Sequence, residues 1–545
     1  MLKKIPIGIE NFKEIVKNDY YYVDKTKLIE DIIKDGSKVK LFTRPRRFGK
    51  TLNMSMLKYF FDVKEADENR MLFDGLYINN SPVFSEQGKY PVIFLSMKGI
   101  KGTTWKEMEK SIRKVLSNLY EEYKFLREDL DERNKRKFEK IWFEEIDGSY
   151  DDGLNFLSKI LKEKYNQEVI VLIDEYDAPL INAYEFGYYN EALLFFKELY
   201  GSVLKTNHSL QMGVLTGIVR VAQAGIFSDL NNLDVHTILN NEYSEYFGLL
   251  EDEVEKMLCS YNIEYKIEDV KTWYNGYKFG DKKVYNPWSI LNYTKYKTLK
   301  AYWINTSSNV VIKEMLKNSD SRVFKTLEDL FARKNVPVTI SANIALGNHL
   351  SPSEIWELLL FSGYVTIKEK IDEDEYIIRI PNQEILSFFK KTFLTILFGE
   401  FQTVKDLKYA LFNKNIKELK RVIEQLVLYS VSFYDTDERY ENNYQMLLSG
   451  FFYALEGIYL VYPNMESGDG RPDLILEPLD RKNPAYILEL KKGKSKNIKK
   501  EAETALKQIE ENRYDSILTR KGFKNIVKIG LVFDGKKVEV DTALH

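Results

Sequence analysis

The 545 residues are 44% hydrophobic and 30% charged with a formal net charge of −2, which describes water-soluble globular material with room for about three domains. So even a balance excludes a global pull toward nucleic acid or a membrane, and any anionic partner must be met by local patches. A single cysteine, Cys259, excludes an internal disulfide framework and a cysteine-rich zinc site, and four scattered histidines offer no metal-ligand spacing. No uninterrupted apolar run approaches a membrane span, and Lys3 and Lys4 precede no signal-like apolar stretch. A cytoplasmic protein without a membrane partner is expected.

In chain order, Tyr20-Tyr21-Tyr22-Val23-Asp24 leads into a helix through about Ile33, with Asp24 as N-cap ahead of Leu28, Ile29, Ile32 and Ile33. The tyrosines read as packing, with stacking on a base as the alternative. Val39 to Phe42 is an apolar strand that runs into Thr43-Arg44-Pro45-Arg46-Arg47-Phe48-Gly49-Lys50-Thr51, and Gly49-Lys50-Thr51 opens a helix with Leu52, Met56, Leu57, Phe60 and Phe61 on its buried side. That is the strand, loop and helix a P-loop requires. Amide N–H groups at the helix start face phosphate, Lys50 reaches the β and γ oxygens, and the Thr51 hydroxyl ligates Mg²⁺. Arg44 stands where G-x-x-x-x-G-K-[ST] begins with glycine, which predicts a loop path of its own. With Arg46 and Arg47 it adds positive charge that phosphate would favour.

Tyr90 to Ser96 predicts a second buried strand and Thr104 to Tyr123 an amphipathic helix. Val169 to Ile173 is five apolar residues followed by Asp174 and Glu175, a Walker B strand at the right distance from the P-loop. Asp174 would hold the Mg²⁺ shell and Glu175 would act as general base on the attacking water, whereas Asp177 fits a structural cap. A further strand, Gln211 to Leu215, ends in Thr216, placed to sense the γ-phosphate. Arg220 follows, within reach of phosphate in its own or a neighbouring subunit, the second case implying a homo-oligomer. Ala224 to Leu233, through Phe227 and Leu230, would pack this loop.

Residues 5 to about 310 resemble the AAA-ATPase-like family fused to a PD-(D/E)XK nuclease, on the stretches IPIGIENF, YYYVDKTKLI, RPRRFGKT, VLIDEYDAP and LTGIVRVAQAGIFSDLNN. Arg44 is that family's own form of the loop. The resemblance implies a P-loop ATPase fold with ATP as cofactor, over residues 1–240.

From Tyr246 to about Glu400 the pattern is mostly helical, a lid or middle domain over 241–400. Trp273 to Phe279 and Tyr285 to Ser289 flank Gly280-Asp281 as a short hairpin before a helix through Tyr296. Its aromatics are not interleaved with Lys or Arg, so packing is the expectation rather than base stacking. Ser351 to Leu360 and Gln383 to Leu397 read as helices, and Gly363 to Ile367 with Tyr376 to Ile380 as a small sheet.

The last part, 401–545, holds Arg471-Pro472-Asp473-Leu474-Ile475-Leu476-Glu477, a polar turn, then Tyr486-Ile487-Leu488-Glu489-Leu490-Lys491. As two paired strands these bring Asp473 and Glu489 together with Lys491 beside them. Phosphodiester hydrolysis needs such a set: two carboxylates for Mg²⁺, with Mn²⁺ an alternative, and an ammonium against the charge that builds on phosphate. P-D, then sixteen residues on from Asp473 the acid of an apolar-E-x-K strand, is the PD-(D/E)XK pattern, and the resemblance implies a restriction-endonuclease-like α/β fold. It also implies a further metal-ligating acid on the helix Tyr440 to Leu455, for which Glu441 is the candidate, and a Gln-and-Tyr element matched by Gln508 and Tyr514. Where that family often has His after the tyrosine of this helix, the chain has Gln445. Between Arg481 and Lys500 stand eight Lys or Arg and one acid, Glu489, a local basic patch for a phosphate backbone.

The expectation is an α/β protein with a P-loop NTPase domain, a helical middle and a nuclease-like domain, whose partner is nucleic acid, DNA first. The rival is a regulatory NTPase that uses its C-terminal domain only to bind nucleic acid or a protein.

Overall fold

Apolar runs that end against a turn become the strands of a parallel sheet in the N-terminal half: β1 (Val39–Thr43), β2 (Val92–Ser96), β3 (Val169–Asp174), β4 (Leu210–Gly217) and β5 (Leu233–His236). Every residue of β1 and β3 is buried, as expected of parallel strands covered on both faces. The computed structural model describes residues 2–205, 207–221, 232–303, 323, 326–327, 329–330, 334–341, 351–389, 401–430, 448, 451–452, 455, 458–493, 497–534 and 537–544. It forms two compact units, residues 1–312 with 337–384, and 313–336 with 385–545.

Spatial order in the first sheet is β2-β3-β4-β1-β5, all neighbours parallel. The register sets Phe42 against Thr216 and Ser96 against Asp174, so the carboxyl ends of β1, β3 and β4 meet along one edge. Helix Trp105–Glu122 starts where predicted, its Thr104 side chain accepting from the Glu107 amide. One predicted cap is displaced. Helix Lys27–Asp35 begins after Thr26, and Asp24 sits two residues earlier, accepting from the Thr26 amide (2.8 Å) and hydroxyl (2.7 Å) and from the Tyr77 amide (2.7 Å). Tyr22 packs edge-on against Phe12 with its hydroxyl on the Met56 sulfur, so this tyrosine is packing.

The middle of the chain was expected to be mostly helical, but its described residues mix helices with small sheets. Helices Glu251–Ser260, Ile267–Tyr274 and Pro287–Tyr296 surround the hairpin β6 (Tyr277–Phe279) and β7 (Lys282–Val284), with a core of Val254, Met257, Leu258, Val270, Tyr274 and Ile290. A further sheet orders β8 (Val336–Thr339), β10 (Glu375–Arg379) and β9 (Thr366–Lys370) beside helix Pro352–Phe361, which opens on a Ser351/Glu354 capping box. Gly276 has φ of 104°, and a Cβ there would lie 2.1 Å from the Pro381 carbonyl oxygen, so only glycine lets the two segments meet.

The second unit is built on a sheet ordered β11 (Tyr459–Pro463), β12 (Leu474–Pro478), β13 (Ala485–Lys492), β14 (Ile526–Asp534) and β15 (Lys537–Leu544). Only β13 and β14 are parallel, and helix Ile498–Glu511 lies between them in sequence, the crossover that parallel strands demand. Ile475, Ile487, Ile509 and Leu518 form the core between sheet and helix. Of the predicted helix at Tyr440 to Leu455 only Leu448, Phe451, Phe452 and Leu455 are among the described residues, and the loop packing through Phe227 and Leu230 and the predicted helix beyond Phe389 lie outside them.

Candidate functional sites

At the end of β1 the chain turns through residues 44–49, and Gly49, left-handed with φ of 85°, opens helix Lys50–Phe61. Lys50 is buried, and its Nζ donates to the carbonyl oxygens of Arg44 and Pro45, both at 2.9 Å. Burial pushes its ammonium down from the usual lysine range, against the pull of Glu175, Asp174 and Asp177. Thr51 Oγ1 donates to Asp174 Oδ2 at 2.8 Å, and the Thr216 hydroxyl donates to Asp174 Oδ1. The neighbour of Asp174, Glu175, is left-handed with φ of 54°, and its amide donates to Thr216 Oγ1 at 3.4 Å. Its carboxyl is pushed up by burial, with Lys50 opposing. Asp174, Thr51 and Thr216 thus converge from β3, the P-loop helix and β4. A hydroxyl and a carboxylate at one point, with a helix N-terminus beside them, suit a Mg²⁺–phosphate group by donor chemistry.

The three loop arginines part company. Arg44, expected to face phosphate, is completely buried and points the other way. Its guanidinium donates to the carbonyls of Thr43 (2.9 Å), His236 (2.7 Å) and Tyr243 (3.4 Å) and lies over the rings of Phe247 and Phe279. Burial alone pushes it down to about 9. Arg47, left-handed with φ of 68°, stacks its guanidinium 3.6 Å from the Trp288 ring centroid. Arg46 is half-buried, and its carbonyl accepts from the Trp303 indole at 3.3 Å. Phe48 packs against Tyr277 and Phe279, so its side chain serves the loop rather than a ligand. Arg220 is half-buried just past β4. Asp177 fills its predicted structural role: Oδ2 accepts the amides of Ile218 (2.7 Å) and Val219 (2.9 Å). Neither Trp288 nor Trp303 was singled out as a P-loop neighbour, since nothing local in sequence marks that contact.

In the second unit β12 and β13 pair antiparallel with Leu474 against Leu488, and one more step of that register sets Asp473 opposite Glu489. Asp473 Oδ2 accepts the Leu490 amide at 2.7 Å. Glu489 Oε1 accepts Lys491 Nζ at 3.0 Å, while Glu489 Oε2 is buried without a hydrogen-bond partner. Burial first, then the Asp473 charge, pushes the Glu489 carboxyl up, and Lys491 opposes both. An orphaned carboxylate oxygen facing a second carboxylate fits a divalent cation. Tyr514 is buried, its hydroxyl accepting from Asn512 Nδ2 (3.0 Å) and Gln508 Nε2 (3.4 Å). Glu441, Gln445, Lys494 and Lys496 lie outside the described residues. Asp35, Asp234 and His236 gather elsewhere with metal-capable atoms within 4.8 Å, a grouping sequence spacing did not suggest. Lys40 Nζ sits 2.9 Å from Asp35 Oδ1, so an ammonium already serves that cluster.

No helix among the described residues is long and apolar enough to cross a membrane. Residues 6–227 match the family described as predicted AAA-ATPase, and residues 439–543 match the PD-(D/E)XK nuclease superfamily. A curated relative, "Uncharacterized protein in vnfD 5'region" of Azotobacter chroococcum mcd 1, is 27% identical over 400 residues, covering 72% of this chain and 70% of its own length. In chain order, then, a match to the predicted AAA-ATPase family is followed by a match to the PD-(D/E)XK nuclease superfamily.

Proposed function

We propose that the first unit binds and hydrolyses ATP, and that this governs cleavage of nucleic acid, DNA first, by the second. The observation that carries the reading is the presence on one chain of two assembled sets, Lys50, Thr51, Asp174 and Thr216 in one unit and Asp473, Glu489 and Lys491 in the other. Amides at the start of the P-loop helix and Lys50 would bind the phosphates, with Arg46, Arg47 and Arg220 as nearby cations. Thr51 and Asp174 would hold Mg²⁺, which when bound offsets phosphate charge. Glu175, its carboxyl raised by burial, is suited to take a proton from the attacking water. In the hairpin Asp473 and Glu489 would hold Mg²⁺ or Mn²⁺, which supplies an activated water and steadies the leaving oxygen. Lys491 places its ammonium where phosphate charge grows.

The test is cleavage of circular and linear DNA, single- and double-stranded, with Mg²⁺ or Mn²⁺, with and without ATP, by wild type, Lys50→Ala and Lys491→Ala. Cleavage that is lost in Lys491→Ala and responds to ATP only when Lys50 is intact is expected. ATP hydrolysis with no cleavage of any DNA would overturn it in favour of a non-cleaving regulatory NTPase or an RNA substrate.

A further inference from the structure

Strand alternation puts Glu489, Lys491 and position 493 in one row along β13 and its continuation. Gly493 has no side chain to contribute, and a Cβ there would lie 2.5 Å from Glu501 Oε2 and 2.6 Å from Val532 Cγ1. Glu501, in the first turn of helix Ile498–Glu511, therefore lays its carboxylate where that side chain would stand. Glycine is what admits it.

Two carboxylate oxygens on this side of the sheet are buried without a hydrogen-bond partner, Glu489 Oε2 and Glu501 Oε2, and the Glu489 side chain is only 5% exposed. Leaving such oxygens unpaired is costly in a folded protein, so each asks for a cation or a donor. The helix that carries Glu501 crosses the sheet at the level of Glu489. Gly530, the register partner of Glu489, would with a Cβ meet the Ala502 carbonyl at 2.4 Å and the Ala505 side chain at 3.1 Å. Glu501, Ala505, Gln508 and Asn512 follow one another at helical spacing, so one stripe of the helix holds the orphaned acid and both donors to Tyr514.

We propose that Glu501 is a further acidic residue of the cation site on the β12–β13 hairpin, acting through the water shell of the divalent ion that Asp473 and Glu489 would hold. This rests on the cation reading of that hairpin given above. Lys491 stands between Glu489 and position 493 in the row, so Glu501 acts across water rather than on the ion itself. Mg²⁺ and its mimics keep several waters when bound by one or two carboxylates, and those waters need acceptors. Glu501 is in this sense a positioning residue.

Mn²⁺ binding to the full chain without nucleotide, followed by the electron paramagnetic resonance signal of free Mn²⁺, tests it. Glu489→Gln should abolish the tightest site. Glu501→Gln should weaken that same site about 10-fold, Gly493→Ala should do likewise by displacing the Glu501 carboxylate, and the exposed Glu503→Gln should leave it unchanged. Metal-free melting checks that each variant folds, and if Glu501→Gln does not, Gly493→Ala decides. Wild-type affinity in Glu501→Gln or Gly493→Ala, with the site lost in Glu489→Gln, overturns the role of Glu501 and leaves the hairpin reading intact. No site in wild type, or one that survives Glu489→Gln, overturns both.

Discussion

Asp174 and Glu489 each stand near the end of a buried strand with a second acid close by, and their surroundings differ in one respect. Both oxygens of Asp174 receive hydroxyl donors, from Thr51 and Thr216. Glu489 has Lys491 on one oxygen and no hydrogen bond on the other, although the Asp473 backbone lies close enough to favour its charge. Around the P-loop the protein supplies partners of its own: hydroxyls on the acid, and loop carbonyls on the Lys50 ammonium. The hairpin leaves its acid short of a partner. A site that is internally satisfied exchanges partners when ligand arrives, whereas one that is not gains a partner it lacked.

If the two sites are chemically separate, the largest effects should stay apart. Glu175→Gln is expected to lower ATP hydrolysis by about 10²- to 10⁴-fold with nucleotide binding kept, and Glu489→Gln to remove detectable cleavage while ATP hydrolysis continues. Steady-state hydrolysis and nucleotide titrations read the first, gel assays the second; loss of ATP hydrolysis in Glu489→Gln would erase the distinction.

Glu384 sharpens the comparison, because it is fully partnered and still perturbed. Its Oε1 accepts the amides of Tyr302 (2.6 Å) and Trp303 (2.8 Å), and Oε2 accepts the Ser289 hydroxyl (2.7 Å). Burial nevertheless outweighs those bonds and pushes the carboxyl up to about 7 from an ordinary 4.5. Between these values the folded state holds a proton that the unfolded chain has released, so the contribution of Glu384 to stability is fully present below about 4.5 and is lost as pH rises through about 7. The loss is on the order of 3 kcal/mol. Glu384→Gln, which mimics the protonated form, should flatten this part of the melting-temperature profile; an unchanged profile would remove Glu384 from the account.

A smaller effect tests whether hydroxyl satisfaction matters at Asp174. Thr216→Val keeps the shape and removes one donor from a fully buried acid. It should cost about 1–3 kcal/mol in denaturant unfolding of the first unit, and a neutral result would mean that Asp174 is no better served than Glu489. Smallest of all, Trp303→Phe removes the indole bond to the Arg46 carbonyl. About 1 kcal/mol is expected in the same measurement.

Much of this was legible along the chain, for a physical reason. The strands β1 and β3, the helix after Gly49 and the β12–β13 pair are written locally, in apolar runs that end at Asp174 or Lys491 and in a glycine with positive φ. What could not be read depends on partners far away in sequence. Arg44 looked like a phosphate ligand because its three acceptors include carbonyls of residues 236 and 243. Glu384 finds its amides 82 and 81 residues back. Nothing local in sequence marks Glu501, since it is Gly493, on the neighbouring strand's continuation, that leaves its carboxylate room. Asp24 shows the reverse case: the acid was found, but the cap was placed two residues too early, because its oxygens are taken by Thr26 and by the distant Tyr77 amide.

The tie between β3 and β4 reaches beyond chemistry. Asp177 grips the amides of Ile218 and Val219, the Tyr176 hydroxyl donates to the Val219 carbonyl and accepts the Val221 amide, and a Cβ on Gly217 would lie 2.6 Å from the Tyr176 ring. Segments 174–177 and 216–221 are therefore one mechanical part, although 38 residues separate them along the chain. Grafting the acid strand into another scaffold without its companion would transplant half a hinge plate, and the two must be exchanged together for Thr216 to keep its bond to Asp174.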